Sequence, residues 1–170
     1  IEFDKLLLAP FWRKGLEALL TSGAIEFLPD LKGSRAKLEQ LFELDSDFCF
    51  SASEQAWAAL LIALKTQDVQ RFLRIWRTSR EFSKRVADIV EIVTIRSERD
   101  LTKRDCYDYD IDLLLQAEEL RQAQGLAVDF SAIHNLDASL TIHSKQEMVV
   151  NGGMLMREFG FVPGPKLGQI

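Results

Sequence analysis

Apolar positions recur along most of the chain with a helical period, and no stretch before residue 136 alternates as a half-buried strand would. The spacing predicts a helix from Pro10, whose fixed φ suits a first helical position, to Gly23, which sits where a helix stops. Phe11, Leu16, Leu19 and Leu20 would line its core face. Leu31 to Leu44 repeats the pattern through Leu38, Leu41 and Phe42. Ser51 followed by Glu54 reads as a capping box, after which Trp57, Leu60, Leu61 and Leu64 fall at i, i+3, i+4 and i+7. Asp68 can cap the next helix, where Val69, Phe72, Leu73 and Trp76 keep that spacing and Arg71, Arg74 and Arg77 take the other side. A longer helix follows from about Glu81 to Arg96, striped by Phe82, Val86, Ile89, Val90 and Val93. Asp105 to Gln124 makes one more, with acids at the positive end of its dipole and Gly125 as its stop. The expectation is an all-α chain, a helical bundle.

The texture changes after about residue 136. Leu140 to His143 is short and partly β-branched. Asn151, Gly152 and Gly153 then precede a short apolar-periodic helix through Met154, Leu155 and Phe159, and a Gly- and Pro-rich run follows to Gly168. We read residues 1–136 as a helical body and residues 137–170 as the start of a small helical tail domain. Both ends look cut: Ile1 to Leu8 reads as the inside of a helix, and Pro165 to Ile170 as a first turn and a half.

Composition narrows the class. With 170 residues, 47% hydrophobic and 28% charged, and with 9 Gly and 4 Pro, the chain is neither disordered nor collagen-like. No apolar run approaches the ~18 residues that span a bilayer, so the expectation is a cytoplasmic protein without a membrane partner. Cys49 and Cys106 form no CxxC pair, which fits a reducing compartment without a zinc site.

A net charge of −5 weighs against nucleic acid until it is divided. Residues 1–64 carry 6 Lys+Arg against 10 Asp+Glu, residues 65–104 carry 11 against 6, residues 105–136 carry 1 against 7, and residues 137–170 carry 3 against 3. A basic block of +5 therefore lies between acidic flanks, and such a block can hold a polyanion; a solvated helix face rich in arginine is the plainer reading.

Few residues suggest chemistry of their own. Asp108, Asp110 and Asp112 are spaced like metal ligands, yet Leu113 stands where a calcium loop requires Gly, so an acidic helix N-terminus is the simpler account. His134 and His143 have no nucleophile context, and Trp12, Trp57 and Trp76 sit at core spacing. The tail differs. In the run from Gly160 to Gly168, Gly164 frees the backbone, Pro165 suits a first helical position, and Gly168 leaves the turn uncovered. A helix start exposed in this way, with Lys166 beside it, can hold a sugar-phosphate backbone without reading bases. An ordinary helix–helix turn is the alternative.

Asn151 to Met156, followed by Gly160, Phe161, Val162, Pro163, Gly164, Pro165, Lys166, Leu167 and Gly168, resembles the C-terminal signature of bacterial CCA-adding tRNA nucleotidyltransferases, the poly(A) polymerase-like family. Leu6 to Leu31 is similar to the helical region of the class II enzymes. The resemblance implies a parent with an N-terminal head whose DxD pair binds two metals, and a neck that templates CTP and ATP, neither of them in this chain. It implies Mg²⁺ with CTP and ATP for the full-length enzyme and none of these for this portion, which would hold the acceptor and T arms of tRNA and supply no catalytic group. Asn151, Gly152, Pro163, Gly164, Pro165 and Gly168 would form an RNA-facing turn, with Lys166 beside them. Met154 departs from the pattern, standing where the family usually has Asp. On the body, Arg71, Arg74, Arg77, Lys84 and Arg85 are candidates for phosphate contacts, since duplex RNA is gripped by shape and backbone. A protein-interaction scaffold and a duplex-DNA binder remain open as alternatives.

Overall fold

The computed structural model describes residues 2–142 together with residues 147, 154, 156 and 157. Among them it is all-helical. Helix α1 (Glu2–Leu7) and α2 (Trp12–Thr21) lead through a 3-10 turn (Ala24–Phe27) to α3 (Arg35–Leu38), which runs on as a 3-10 segment (Glu39–Glu43). Then come α4 (Ser53–Leu64), α5 (Val69–Ile75), α6 (Arg80–Glu98), α7 (Lys103–Asp108), α8 (Ile111–Ala123) and α9 (Phe130–Ala138).

Helix α4 is the centre. Its residues from Gln55 to Leu61 are all buried, because α1, α6, α8 and the 3-10 segment before it pack around it. A helix apolar on every side has to be enclosed. Trp57, Leu60 and Leu61 are its large, fully buried side chains, and Phe3, Leu73, Ile89, Leu113 and Ile133 join the same core from five other helices.

Several local expectations hold. Asp68 caps α5 by accepting the Arg71 N–H at 2.8 Å. Gly125 takes the left-handed conformation after α8, φ 74°, which only glycine adopts freely. Others give way to tertiary structure. Phe11 stands 72% exposed, because Trp12 turns inward in its place and donates its indole N–H to the Phe48 carbonyl. Leu31 to Leu44 is only partly α-helical; most of it is 3-10 turn and loop.

The Ser51–Glu54 capping box does not form. The N-cap of α4 is Ala52, and Ser51 donates its backbone N–H to the buried Gln55 side chain at 2.8 Å, leaving Glu54 for Arg85. The single helix expected from Asp105 to Gln124 is two, since Tyr109 and Asp110 are extended and split α7 from α8. Residue 136 falls inside α9, whose Ile133 belongs to the core. Asn151, Gly152, Pro163, Gly164, Pro165, Lys166 and Gly168 lie outside the described residues, as does His143.

Candidate nucleic-acid interface

The basic block divides into two groups once its side chains are placed. Arg71 and Arg74 are one turn apart on α5 and share its exposed face. Arg77 follows in the turn between α5 and α6 with φ 55°, and Arg80 opens α6; both are exposed. No carboxylate among the described residues pairs with any of these four guanidinium groups. Arg80 escaped the sequence reading, although it continues the three-residue spacing of Arg71, Arg74 and Arg77.

From the middle of α6 onward the arginines are occupied. Arg85 reaches Glu54 at 3.2 Å and Asp110 at 3.4 Å and also donates to Asp112, so it ties α6 to α4 and to the start of α8. Lys84 pairs with Asp88 one turn further along α6. Arg104 binds Asp108 at 2.6 Å. The acids spaced like metal ligands thus have other employment: Asp108 ends α7 facing Arg104, while Asp110 and Asp112 hold Arg85.

Two further arginine partners, Glu118 and Asp105, are buried carboxylates. Glu118, 1% exposed, accepts from Arg96 at 3.0 and 3.2 Å and from the Asp129 backbone N–H at 3.2 Å, with Arg121 at 3.6 Å. It links α6, α8 and the start of α9. Asp105 takes both terminal nitrogens of Arg99 at 2.7 and 2.8 Å and accepts from the Thr102 N–H and hydroxyl, each at 2.7 Å. Together Thr102 and Asp105 make a capping box at the start of α7. The T-x-x-D spacing was there to be read. The Arg99 guanidinium, together with the Thr102 donors, holds the Asp105 carboxyl well below the usual carboxylate range. Nearby, burial and the Glu91 charge push the Tyr109 hydroxyl up to about 12.

The other candidates are structural. Trp12 and Trp57 are core residues, 1% and 2% exposed. His134 lies on the exposed side of α9. Among the described residues no three His, Cys, Asp or Glu side chains converge as metal ligands would, so no step through a metal is derived for this part of the chain. No helix among them is long and apolar enough to cross a membrane.

What the geometry defines is an all-α body with one edge of unneutralised arginine. The sequence model of tRNA nucleotidyltransferase domain 2 matches residues 48–170. The CCA-adding enzyme of Streptococcus gordonii is 96% identical over all 170 residues, and that of Streptococcus sanguinis 85%; in each case the match takes in the whole of this chain and 43% of the relative. The crystal structure of the Bacillus stearothermophilus CCA-adding enzyme in complex with CTP superimposes with a TM-score of 0.85 at 26% identity, over 99% of this chain and 43% of that one. The chain belongs to the CCA-adding tRNA nucleotidyltransferase family. It spans less than half the length of the curated relatives it matches.

Proposed function

We propose that this chain is the tRNA-positioning portion of an enzyme that adds CMP, CMP and AMP to the 3′ end of tRNA. It comprises a helical body over residues 1–136 and the start of a tail over residues 137–170, and it holds the acceptor and T arms. Mg²⁺, CTP and ATP act in the parent enzyme on residues outside this chain. The observation that carries the reading is the group Arg71, Arg74, Arg77 and Arg80, four exposed cations without carboxylate partners among the described residues, on a chain of net charge −5. An acidic protein that leaves such a group unneutralised has a local attraction for phosphate that its total charge hides. Lys84 and Arg85 join the contact only by exchanging Asp88, Glu54, Asp110 and Asp112 for phosphate oxygens. Asn151, Gly152, Pro163, Gly164, Pro165, Lys166 and Gly168 supply the tail's grip on the sugar-phosphate backbone.

The experiment is a salt titration of binding to a minihelix made of acceptor and T arms alone, with a duplex DNA of equal length as control. The expected result is preference for the minihelix, an affinity that falls steeply with salt, and weaker binding on Lys166→Glu. Equal affinity for the DNA at moderate salt would overturn the tRNA assignment.

A further inference from the structure

Helix α5 carries four apolar residues, and three of them serve the core: Phe72 and Leu73 are buried and Val69 packs against it. The fourth, Ile75, is 40% exposed. One exposed apolar residue is ordinary on a protein surface. Helix propensity does not ask for a β-branched residue here, since lysine or glutamine would serve as well. What singles out Ile75 is its company. Leu8, Phe11, Phe27 and Leu126, the other large apolar residues that the body exposes among those described, lie on other elements. Ile75 falls instead among the arginines that have no carboxylate partner among the described residues. Arg71 stands one turn before it, about 40° round the helix axis, and Arg74 is three residues after Arg71 on that same exposed face. Side chains three and four residues apart are neighbours on a helix surface, so Arg71 adjoins both Arg74 and Ile75.

We propose that Ile75 covers a ribose edge of the bound RNA beside the phosphates held by Arg71 and Arg74. The proposal rests on the RNA-binding reading above and adds to it a contact of another kind. A sugar-phosphate strand alternates anionic units with units whose C–H edges are largely apolar. The two guanidinium groups take the phosphates, and the C–H edges between them are what an aliphatic side chain can cover. Duplex RNA displays its riboses along a wide, shallow minor groove, where they can be touched without reading a base. Charge selects this occupant. Arg77 and Arg80 continue the cationic edge beyond α5, and a polyanion is the surface that complements four unneutralised arginines. The two kinds of contact answer differently to salt. Phosphate contacts release counterions and weaken as salt rises, whereas covering apolar surface releases none and holds. Ile75 therefore supplies a part of the affinity that salt does not screen.

The test uses the full-length protein that carries this chain and the acceptor–T minihelix. Affinity is measured across a salt series for the parent, Ile75→Ala, Ile75→Gln and Ile75→Leu. Ile75→Gln keeps a side chain of similar length and a good helix former, so it decides the question if the alanine variant is poorly folded. The expected result is that Ile75→Ala and Ile75→Gln weaken binding about three- to tenfold, by the same factor at every salt concentration, with the slope of the parent. Ile75→Leu, which restores an aliphatic surface, should bind within about twofold of the parent. Parental affinity in Ile75→Gln overturns the proposal and leaves the isoleucine to another partner, such as a protein surface, with RNA binding by the arginines intact. A loss that comes with a shallower slope also overturns it, because the damage then lies in the neighbouring phosphate contacts. So does a leucine variant as weak as the glutamine one. If the parent itself does not bind the minihelix, the RNA-binding reading fails and this contact fails with it.

Discussion

Among the described residues, Arg71, Arg74, Arg77 and Arg80 around α5 stand in solvent without a carboxylate, whereas Arg85, Arg96, Arg99, Arg104 and Arg121 each meet at least one. The two groups are one residue type in one sequence, and the first four of the second group belong to the same basic block as the first. What separates them is the acid supply of the surrounding fold. Residues 105–136 carry seven acids against one base, and Asp110, Asp112 and Glu118, at the start of α8 and within it, come against α6. α5 packs on α6 and points its other face outward, where among the described residues no acid pairs with its arginines. A planar guanidinium serves buried pairing and phosphate contact equally well. Its surroundings decide which it does.

The division can be broken from either side, and the largest effect should come from the interior. Glu118→Ala leaves the nearly buried Arg121 without a carboxylate and Arg96 with only the exposed Asp100. Losing one partner of a buried pair costs about 3–5 kcal/mol, so the melting temperature should drop steeply. A small change would mean that water reaches those guanidinium groups.

Asp105→Asn should cost less, about 1–2 kcal/mol, for a weakened helix start and the loss of the carboxylate charge that faces Arg99. Its pH signature is specific. Because folding lowers the Asp105 pKa, the unfolded chain takes up the proton first, and the stabilisation is complete above the ordinary aspartate value near 4. It is then lost as pH falls below that value. The variant should therefore show a shallower loss of stability than the parent across that acid range in denaturant titrations at stepped pH.

Arg74→Ala should change stability by less than about 0.5 kcal/mol, since the side chain is exposed and unpaired. It should lower minihelix affinity several-fold and reduce the salt slope by about one. Arg85→Ala should do the reverse, losing stability through Glu54, Asp110 and Asp112 with less effect on the slope. Arg77→Gly should be the mildest for the fold, neutral or up to about 1 kcal/mol stabilising, because glycine takes φ 55° without strain.

Much of this fold could be read from spacing alone. The stripe Trp57, Leu60, Leu61 and Leu64, the Asp68 cap and the Gly125 stop are local signals, fixed by helix geometry whatever lies beyond. The failures are long-range. Phe11 loses its core place to Trp12 because the Phe48 carbonyl, 36 residues on, offers the indole a partner. Ser51 gives up its cap because Gln55, buried against Gln116 and Glu119, takes its N–H.

The candidate interface follows the same rule. The charge count located the basic block, but it could not divide it, since Arg85 finds Glu54 across 31 residues and Arg96 finds Glu118 across 22. The two tryptophans follow suit, because Trp57 and Trp76 carry equally good core spacing and only packing gives one indole N–H the Asp4 carboxylate and leaves the other without an acceptor.

The central claim is that the unpaired arginines around α5 hold RNA while the paired ones hold the fold. The direct measurement is the slope of log affinity against log salt for the acceptor–T minihelix, in the parent and in a variant with Arg71→Ala and Arg74→Ala together. The slope should be shallower by roughly two phosphate contacts, about 1.4–1.8 in magnitude, with a melting temperature within about 3 °C of the parent. An unchanged slope alongside a clearly lowered melting temperature would contradict it.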